Sequence, residues 1–354
     1  MIESPAVPRV ELAPGYTISR LIKGGWQLAG GHGAVEREAA LDDMFRFVDA
    51  GITTFDIADI YTGVESLIGE FLRRLRARDG ARAEGRVQVH TKYVPDRTTL
   101  ARLTRRDVED AIDRSLSRLG VDTLDLVQFH WWDLDVPGWV DTAQWLDGVR
   151  RTGKVRHVGL TNFDVPRVET IVGAGVQVVS HQVQYSVLDR RPERGVAAAC
   201  EARGVSLLTY GALAGGFLSE RWLGHADPVP PLENRSLVKY RLIVDEFGGW
   251  EALQRVLLAL DTVARRHGCA MGTVALRWVL ERRAVAAAIV GARHAGHLDA
   301  TCRAAWLPLD ATDLAEIDDA AAGAPGPAGD VYALEREKGG RHAAIMRYDL
   351  NARQ

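Results

Sequence analysis

Asp56, Tyr61, Lys92 and His130 stand at the ends of apolar runs that read as β-strands, and each run leads into a helix-like stretch. A carboxylate, a phenol, an ammonium and an imidazole gathered at one mouth can move a proton to or from a carbonyl oxygen. A phenol is a poor acid for that task at its reference pKa of about 10. An ammonium ~4 Å away, at an effective dielectric of ~20, attracts a phenolate by ~4 kcal/mol and would lower that pKa by ~3. Asp56 is then expected to hold Lys92 charged and in place, and His130 to hydrogen-bond the substrate oxygen or relay the proton. Taken singly, each residue has a plain structural reading as an ion pair or a packed ring. Their shared placement at the ends of three consecutive strands is what points to catalysis.

The elements that must position these side chains recur along the chain. Strand-like runs occur at 20–26, 53–59, 87–93, 124–132, 155–163, 178–186, 205–213 and 286–293. They are short and apolar, as parallel strands covered on both faces should be. The intervening segments read as amphipathic helices. One spans EREAALDDMFRFVDAG and closes at Gly51. Another opens on Thr104 as N-cap, closes at Gly120 and carries Val108, Ile112, Leu116 and Leu119 in one stripe. Eight alternating units predict an α/β fold, a closed (β/α)8 TIM barrel with its chemistry at the C-terminal strand ends. Residues 1–322 are read as the barrel. Residues 323–330, GAPGPAGD, are read as a hinge into a C-terminal tail, 331–354, which packs near the barrel mouth or on a neighbouring subunit. Residues 219–249 are read as a long irregular loop after the seventh strand.

Composition narrows the function classes. The chain has 354 residues, a formal net charge of -3, 47% hydrophobic and 26% charged residues, which fits a soluble globular protein. That balance offers no footprint for nucleic acid or an anionic membrane. The N-terminus lacks a secretory pattern and no apolar run reaches the ~18 residues of a membrane span. Cys200, Cys269 and Cys302 show no paired or metal-ligand spacing. A cytoplasmic protein without a metal is expected, with a homo-oligomer left open.

The motifs carrying these residues resemble those of the aldo-keto reductases over roughly residues 15–320. FDIADIY and the following ESLIGEFL resemble the family's Asp-x-x-Asp-x-Tyr segment and the helix after it, and HTK and QFH resemble its Lys and His positions. The resemblance implies Tyr61 as general acid, Lys92 and Asp56 as its tuning pair, and His130 as the group that orients the carbonyl. It also implies a nicotinamide cofactor. GLTNF is similar to the family's GVSNF, so Thr161 and Asn162 would meet the carboxamide, with Gln182 as a third contact. Tyr210 would stack on the ring, and the loop containing Gly211, Ala212, Leu213 and Gly215 would wrap the pyrophosphate. Gly25 and Trp26, beside Asp56, match a contact near the nicotinamide ribose. IVGARHAGHLDAT is similar to IPGARNPEQLEEN, which places Gly291, Arg293 and His297 at the adenosine end. Arg293 favours NADP(H). His297, Ala300 and Thr301 depart from the family's pattern, and NAD(H) stays open.

Trp26, Trp131, Trp132 and Trp222 are expected to line the substrate opening, which would suit a cyclic or aromatic carbonyl or a sugar ring. No basic cluster is seen at the strand ends, which argues against a strongly phosphorylated substrate, although the long loop carries Arg221, Arg235, Lys239 and Arg241. The leading expectation is an NAD(P)H-dependent carbonyl reductase acting on a small-molecule aldehyde or ketone. Two alternatives stand beside it: an NAD-dependent sugar or polyol dehydrogenase, and a non-catalytic cofactor-binding subunit of the kind this family attaches to ion channels.

Overall fold

A computed structural model describes residues 6–351. The outermost ends of the two units read from the sequence, 1–5 and 352–354, lie outside the described residues. The described chain opens with a hairpin, β1 (Arg9–Ala13) and β2 (Tyr16–Ser19), turning through Gly15. Eight parallel strands then close into a barrel: β3 (Leu21–Gly24), β4 (Thr54–Asp56), β5 (Gln88–Tyr93), β6 (Leu124–His130), β7 (Val155–Thr161), β8 (Val178–Gln184), β9 (Ser206–Tyr210) and β10 (Val285–Gly291). The ring order is β10-β3-β4-β5-β6-β7-β8-β9. Each barrel strand falls inside, or within one residue of, the run read from the sequence.

Helices cover the outer face: α1 (Arg37–Asp49), α2 (Val64–Asp79), α3 (Arg105–Leu119), α4 (Trp139–Arg151), α5 (Val165–Gly173) and α6 (Val196–Glu201) between the first seven barrel strands. After β9 come α7 (Arg235–Phe247), α8 (Gly249–His267) and α9 (Met271–Leu280), and after β10 come α10 (Leu298–Ala304) and α11 (Ala311–Ala322). Local chemistry sets their ends. Thr104 and Asp107 form a reciprocal capping box at the start of α3, and Gly120 closes it at φ 64°. The main core lies between strands and helices, with Phe47, Phe55, Phe71, Leu146 and Leu257 buried in it. A smaller cluster fills the lower barrel, where Leu12, Tyr16 and Ile18 of the hairpin pack on Ile22, Leu126, Leu208 and Ala287. The hairpin is thus a plug for the end of the barrel away from the chemistry.

Two stretches differ from the sequence reading. The 219–249 segment is not irregular throughout, because α7 occupies thirteen of its residues. Leu237, Tyr240, Ile243, Val244 and Phe247 repeat at helical spacing and bury that face, and Asn234 caps the first turn by accepting from the Leu237 N–H at 3.0 Å. The segment 323–330 is held by Arg194, whose guanidinium donates to the carbonyls of Pro327 and Gly329 at 2.8 and 3.3 Å. The chain beyond it, with short helices α12 (Ala333–Arg336) and α13 (Arg341–Ala344), crosses the C-terminal mouth of the barrel. No helix of the described residues is long and apolar enough to cross a membrane.

Candidate active site

The four residues that opened the sequence reading meet at one end of a cavity of about 1010 Å³. That is at the upper end of the ~300–1,000 Å³ usual for small-ligand sites. Strand ends bring them together: Asp56 closes β4, Lys92 lies in the last turn of β5, His130 closes β6, and Tyr61 follows β4 in the loop before α2. Lys92 Nζ lies 2.5 Å from Asp56 Oδ1 and donates to the Ile57 carbonyl at 2.9 Å. The other Asp56 oxygen accepts from Gln128 Nε2 at 2.7 Å and from Gln182 Nε2 at 2.6 Å. A buried carboxylate so fully supplied with donors is held in one orientation.

Burial dominates the phenol. It pushes Tyr61 above its ordinary range, and the neighbouring Asp56 carboxylate pushes it the same way. Burial and Asp56 together outweigh the lowering expected from Lys92. The ammonium sits 5.5 Å from the Tyr61 ring centroid, but its charge is matched by Asp56 at contact distance. Burial thus favours the protonated phenol in this site.

His130 is packed edge-on between Trp132 and Tyr332, at ring separations of 4.5 and 5.4 Å. Burial, reinforced by the positive charge of Arg336, pushes its imidazole down to about 3. It is neutral at physiological pH. Its Nδ1 lies 3.2 Å from the Thr161 carbonyl, which can only accept, so the proton sits on Nδ1. Nε2, which has no partner among the described residues, then offers a lone pair.

The rest of the cavity runs from this corner across β7, β8 and β9 to the end of β10. Gly25, Trp26, Thr161, Asn162, Gln182, Tyr210, Gly211, Ala212, Leu213, Gly215, Gly291 and His297 all line it, as does Trp132. Tyr210 Oη donates to Asn162 Oδ1 at 3.0 Å, fixing both side chains. The Thr161 hydroxyl is buried without a partner among the described residues. Gly211, Gly215 and Gly216 take φ values of 75°, 66° and 103°, which L side chains rarely adopt. A Cβ on Gly211 or Gly215 would also collide with the Tyr240 ring packed behind the loop. Amide side chains, a free hydroxyl and an aromatic face fit a flat ring that carries a carboxamide. A tight glycine loop of backbone N–H groups fits a pyrophosphate.

Three expected residues lie elsewhere. Trp131 is fully buried, packs on Phe129 and donates from Nε1 to the Val136 carbonyl at 3.0 Å. Trp222 stacks on Phe217 behind the β9 loop and donates to the Gly216 carbonyl at 3.0 Å. Both are core residues, which corrects their placement as substrate lining. Arg293 is exposed and does not line the cavity, its Nη1 donating to the His32 carbonyl at 2.5 Å. Among the described residues, no group of three His, Cys, Asp or Glu side chains is placed to hold a metal ion.

Sequence reasoning passed over Gln128, Tyr332 and Arg336. Gln128 was findable, since it sits two residues before His130 on the same face of β6, where a polar side chain must point into the barrel. Arg336 donates to the carbonyls of Asn162, Trp131 and Trp132 at 2.7, 2.8 and 3.2 Å. The adjacent Glu335 pairs with buried Arg191 at 3.2 Å, and Arg191 also binds Asp189 at 2.7 Å. These contacts seat the tail over the mouth. Nothing local in the tail sequence marks either residue.

Comparison with known proteins adds four findings. Residues 20–322 match the Aldo/keto reductase family model. The chain is 25% identical to aldo-keto reductase YhdN of Bacillus subtilis over 86% of this chain and 90% of that protein. It is 25% identical to an NADH-specific methylglyoxal reductase of Escherichia coli over 78% of this chain and 86% of that one. A crystal structure of a thermostable aldo-keto reductase with the inhibitor epalrestat superimposes with a TM-score of 0.68 at 24% identity, covering 89% of this chain and all of that one, which establishes the fold.

Proposed function

Because the chain belongs to the aldo/keto reductase family of oxidoreductases, we propose that it reduces an aldehyde or ketone to its alcohol, with Tyr61 as the proton donor. The observation that carries this reading is the donor inventory of the catalytic corner. His130 has committed its proton to the Thr161 carbonyl. Lys92 has given two of its three N–H bonds to Asp56 and Ile57. Tyr61 is the one neutral hydroxyl of the four, and the anion it leaves would face the Lys92 ammonium, whereas a proton lost from Lys92 would leave Asp56 buried and unpaired.

A reduced nicotinamide held along the cavity would supply the hydride to the carbonyl carbon, and the C=O π pair would move onto oxygen. The developing alkoxide is more basic than a phenolate, so the raised pKa of Tyr61 does not oppose transfer. The phenolic O–H breaks toward the alkoxide, and the phenolate left behind faces the Lys92 ammonium, which stabilises it. The Nε2 lone pair of His130 accepts from the new alcohol O–H and holds it in place. Asn162, Gln182 and Thr161 would hold the carboxamide and Tyr210 the ring face. The 211–216 loop would hold the pyrophosphate.

Arg293 favours NADP(H), since a guanidinium can fork onto a 2′-phosphate. Its bond to His32 and the small side chains of Ala300 and Thr301 support NAD(H), and with it a dehydrogenase working in the alcohol-to-carbonyl direction. Fluorescence titration with NADPH and NADH side by side decides between them. Tighter NADPH binding that weakens in Arg293→Ala supports NADP(H); equal or tighter NADH binding supports NAD(H). Compartment and assembly are proposed as cytoplasmic and open to a homo-oligomer. The four linked catalytic groups give no support to a purely regulatory subunit.

A further inference from the structure

The end of β7 presents Thr161 and Asn162 to the cavity, and the backbone does not stay extended there. Asn162 takes φ 62°, a left-handed conformation that few residues other than glycine adopt without support. The support comes from three contacts. The Asn162 N–H donates to the Gln182 carbonyl at 3.0 Å, and the Asn162 carbonyl accepts from Arg336 at 2.7 Å. The next N–H along, that of Phe163, lies past the last residue of β7, and no backbone carbonyl meets it among the described residues. It donates instead to the imidazole Nε2 of His181 at 3.0 Å.

His181 is fully buried on β8 and takes no part in the proton transfer assigned to Tyr61. Successive side chains of a strand point to opposite faces. Gln182 enters the barrel, where it donates to Asp56 and Gln128, so His181 lies on the outer face beside α6. Two adjacent residues of β8 therefore grip two consecutive residues at the end of β7, Gln182 through its carbonyl and His181 through its ring. The grip fixes the tautomer. Because Nε2 accepts from an N–H, the ring proton sits on Nδ1, 3.7 Å from the Cys200 thiol of α6. A ring protonated on both nitrogens has no lone pair for the Phe163 N–H. Burial pushes this imidazole down to about 3, so the accepting form is kept.

Resting on the carbonyl-reductase reading, we infer that His181 is a positioning residue for the nicotinamide: its bond to the Phe163 N–H holds the turn in which Asn162 offers its amide to the carboxamide. Tyr210 Oη occupies Asn162 Oδ1 at 3.0 Å, and Asn162 Nδ2 has no partner among the described residues. That leaves a donor, and a carboxamide oxygen is the acceptor that matches it. Gln182 has committed Nε2 to Asp56 and Gln128, which leaves its Oε1 to take the carboxamide N–H. Without the Phe163 bond the turn is free to leave the left-handed region, and the Asn162 donor moves with it. The pyrophosphate loop after β9 and the adenosine end after β10 do not depend on that turn.

The test measures binding rather than turnover. It uses NADH or NADPH, whichever the wild type binds more tightly, and the matching fragment without nicotinamide, ADP-ribose or 2′-phospho-ADP-ribose. His181→Phe keeps a flat ring and removes the acceptor, whereas His181→Gln returns a neutral acceptor at similar reach. His181→Phe should weaken the reduced dinucleotide by about tenfold or more and the fragment by less than about twofold, and His181→Gln should recover most of the loss. Unchanged dinucleotide binding in His181→Phe overturns the inference. So does equal weakening of both ligands, which a general loss of packing would give, or a His181→Gln variant no better than His181→Phe. A measurement on the wild type stands even where a variant does not fold. Coupling is reciprocal, so a bound nicotinamide must strengthen the Phe163 bond if that bond strengthens nicotinamide binding. Hydrogen exchange of the Phe163 amide should be about tenfold slower with saturating dinucleotide than with saturating fragment, and equal exchange overturns the inference. A wild type that binds neither dinucleotide, or binds it no better than the fragment, overturns the nicotinamide reading together with the inference.

Discussion

Lys92 Nζ and Asp56 Oδ1 are 2.5 Å apart with side chains only 6% and 5% exposed, and the second Asp56 oxygen is shared by Gln128 and Gln182. The pair fixes the ammonium beside the Tyr61 ring while cancelling most of its charge. Lys92→Met should lower kcat by about 10²–10⁴-fold, since the phenolate formed on proton transfer would then meet the Asp56 carboxylate with no ammonium to offset it. It should also destabilise the fold by about 3–5 kcal/mol, because Asp56 is left buried and unpaired. Adding Asp56→Asn should recover much of the stability and none of the activity. Denaturant unfolding and steady-state kinetics on the two variants check both parts, and recovered turnover in the double variant would contradict the role given to Lys92.

Burial and Asp56 hold the Tyr61 phenol above its ordinary range, so it stays protonated across the accessible pH range. Carbonyl reduction, which consumes that proton, should then be flat in kcat/KM from about pH 6 to 9. Alcohol oxidation needs the phenolate, so its kcat/KM should rise with pH, by up to about tenfold per unit over the same range. A reduction limb that falls with an apparent pKa near 7 would show a phenol lowered by Lys92 after all.

Arg336 ties the tail to the ends of β6 and β7 through three carbonyls. Arg336→Ala should destabilise the protein by about 3 kcal/mol and raise KM for the carbonyl substrate by about tenfold, since Tyr332 and Met346 of the tail line the mouth. Arg336→Lys should not restore either property, because an ammonium cannot fork across the three acceptors. Hydrogen exchange over 341–351 should speed up in both variants. Unchanged exchange there would show that the tail is held by its other contacts.

His90, His130 and His181 are each pushed by burial from 6.5 to about 3. The unfolded chain binds protons as pH falls through 6.5, whereas the folded protein does not bind them at these sites until about 3. Stability present above 6.5 is therefore lost as pH falls toward 3, at up to about 1.4 kcal/mol per pH unit for each histidine. Scanning calorimetry should show Tm falling steadily between about pH 6.5 and 4.5, before most carboxylates titrate. A constant Tm across that interval would contradict neutral burial of these rings.

The barrel was legible because each parallel strand is a compact apolar run and each helix carries a stripe and end signals, as Thr104 and Gly120 show. The catalytic corner was legible because polar side chains closing such runs must emerge at one mouth. The path of the chain past the end of β6 explains one error: Trp131 turns into the core against Phe129, and only Trp132 reaches the cavity. The hairpin plug was missed because Arg9–Ala13 and Tyr16–Ser19 are short and gain their partners only from the barrel interior. The cavity-facing Arg235 and Arg347 and the tail anchor Arg336 depend on long-range packing that no local pattern encodes.

The most direct test of the central claim follows the loss of reduced nicotinamide on adding an aldehyde, with wild-type protein and Tyr61→Phe compared at equal cofactor saturation. Phenylalanine keeps the ring and removes the proton. The expected result is turnover by the wild type and a loss of at least about 10²-fold in Tyr61→Phe, with cofactor affinity unchanged. Turnover in Tyr61→Phe near the wild-type rate would contradict the assignment of Tyr61 as proton donor.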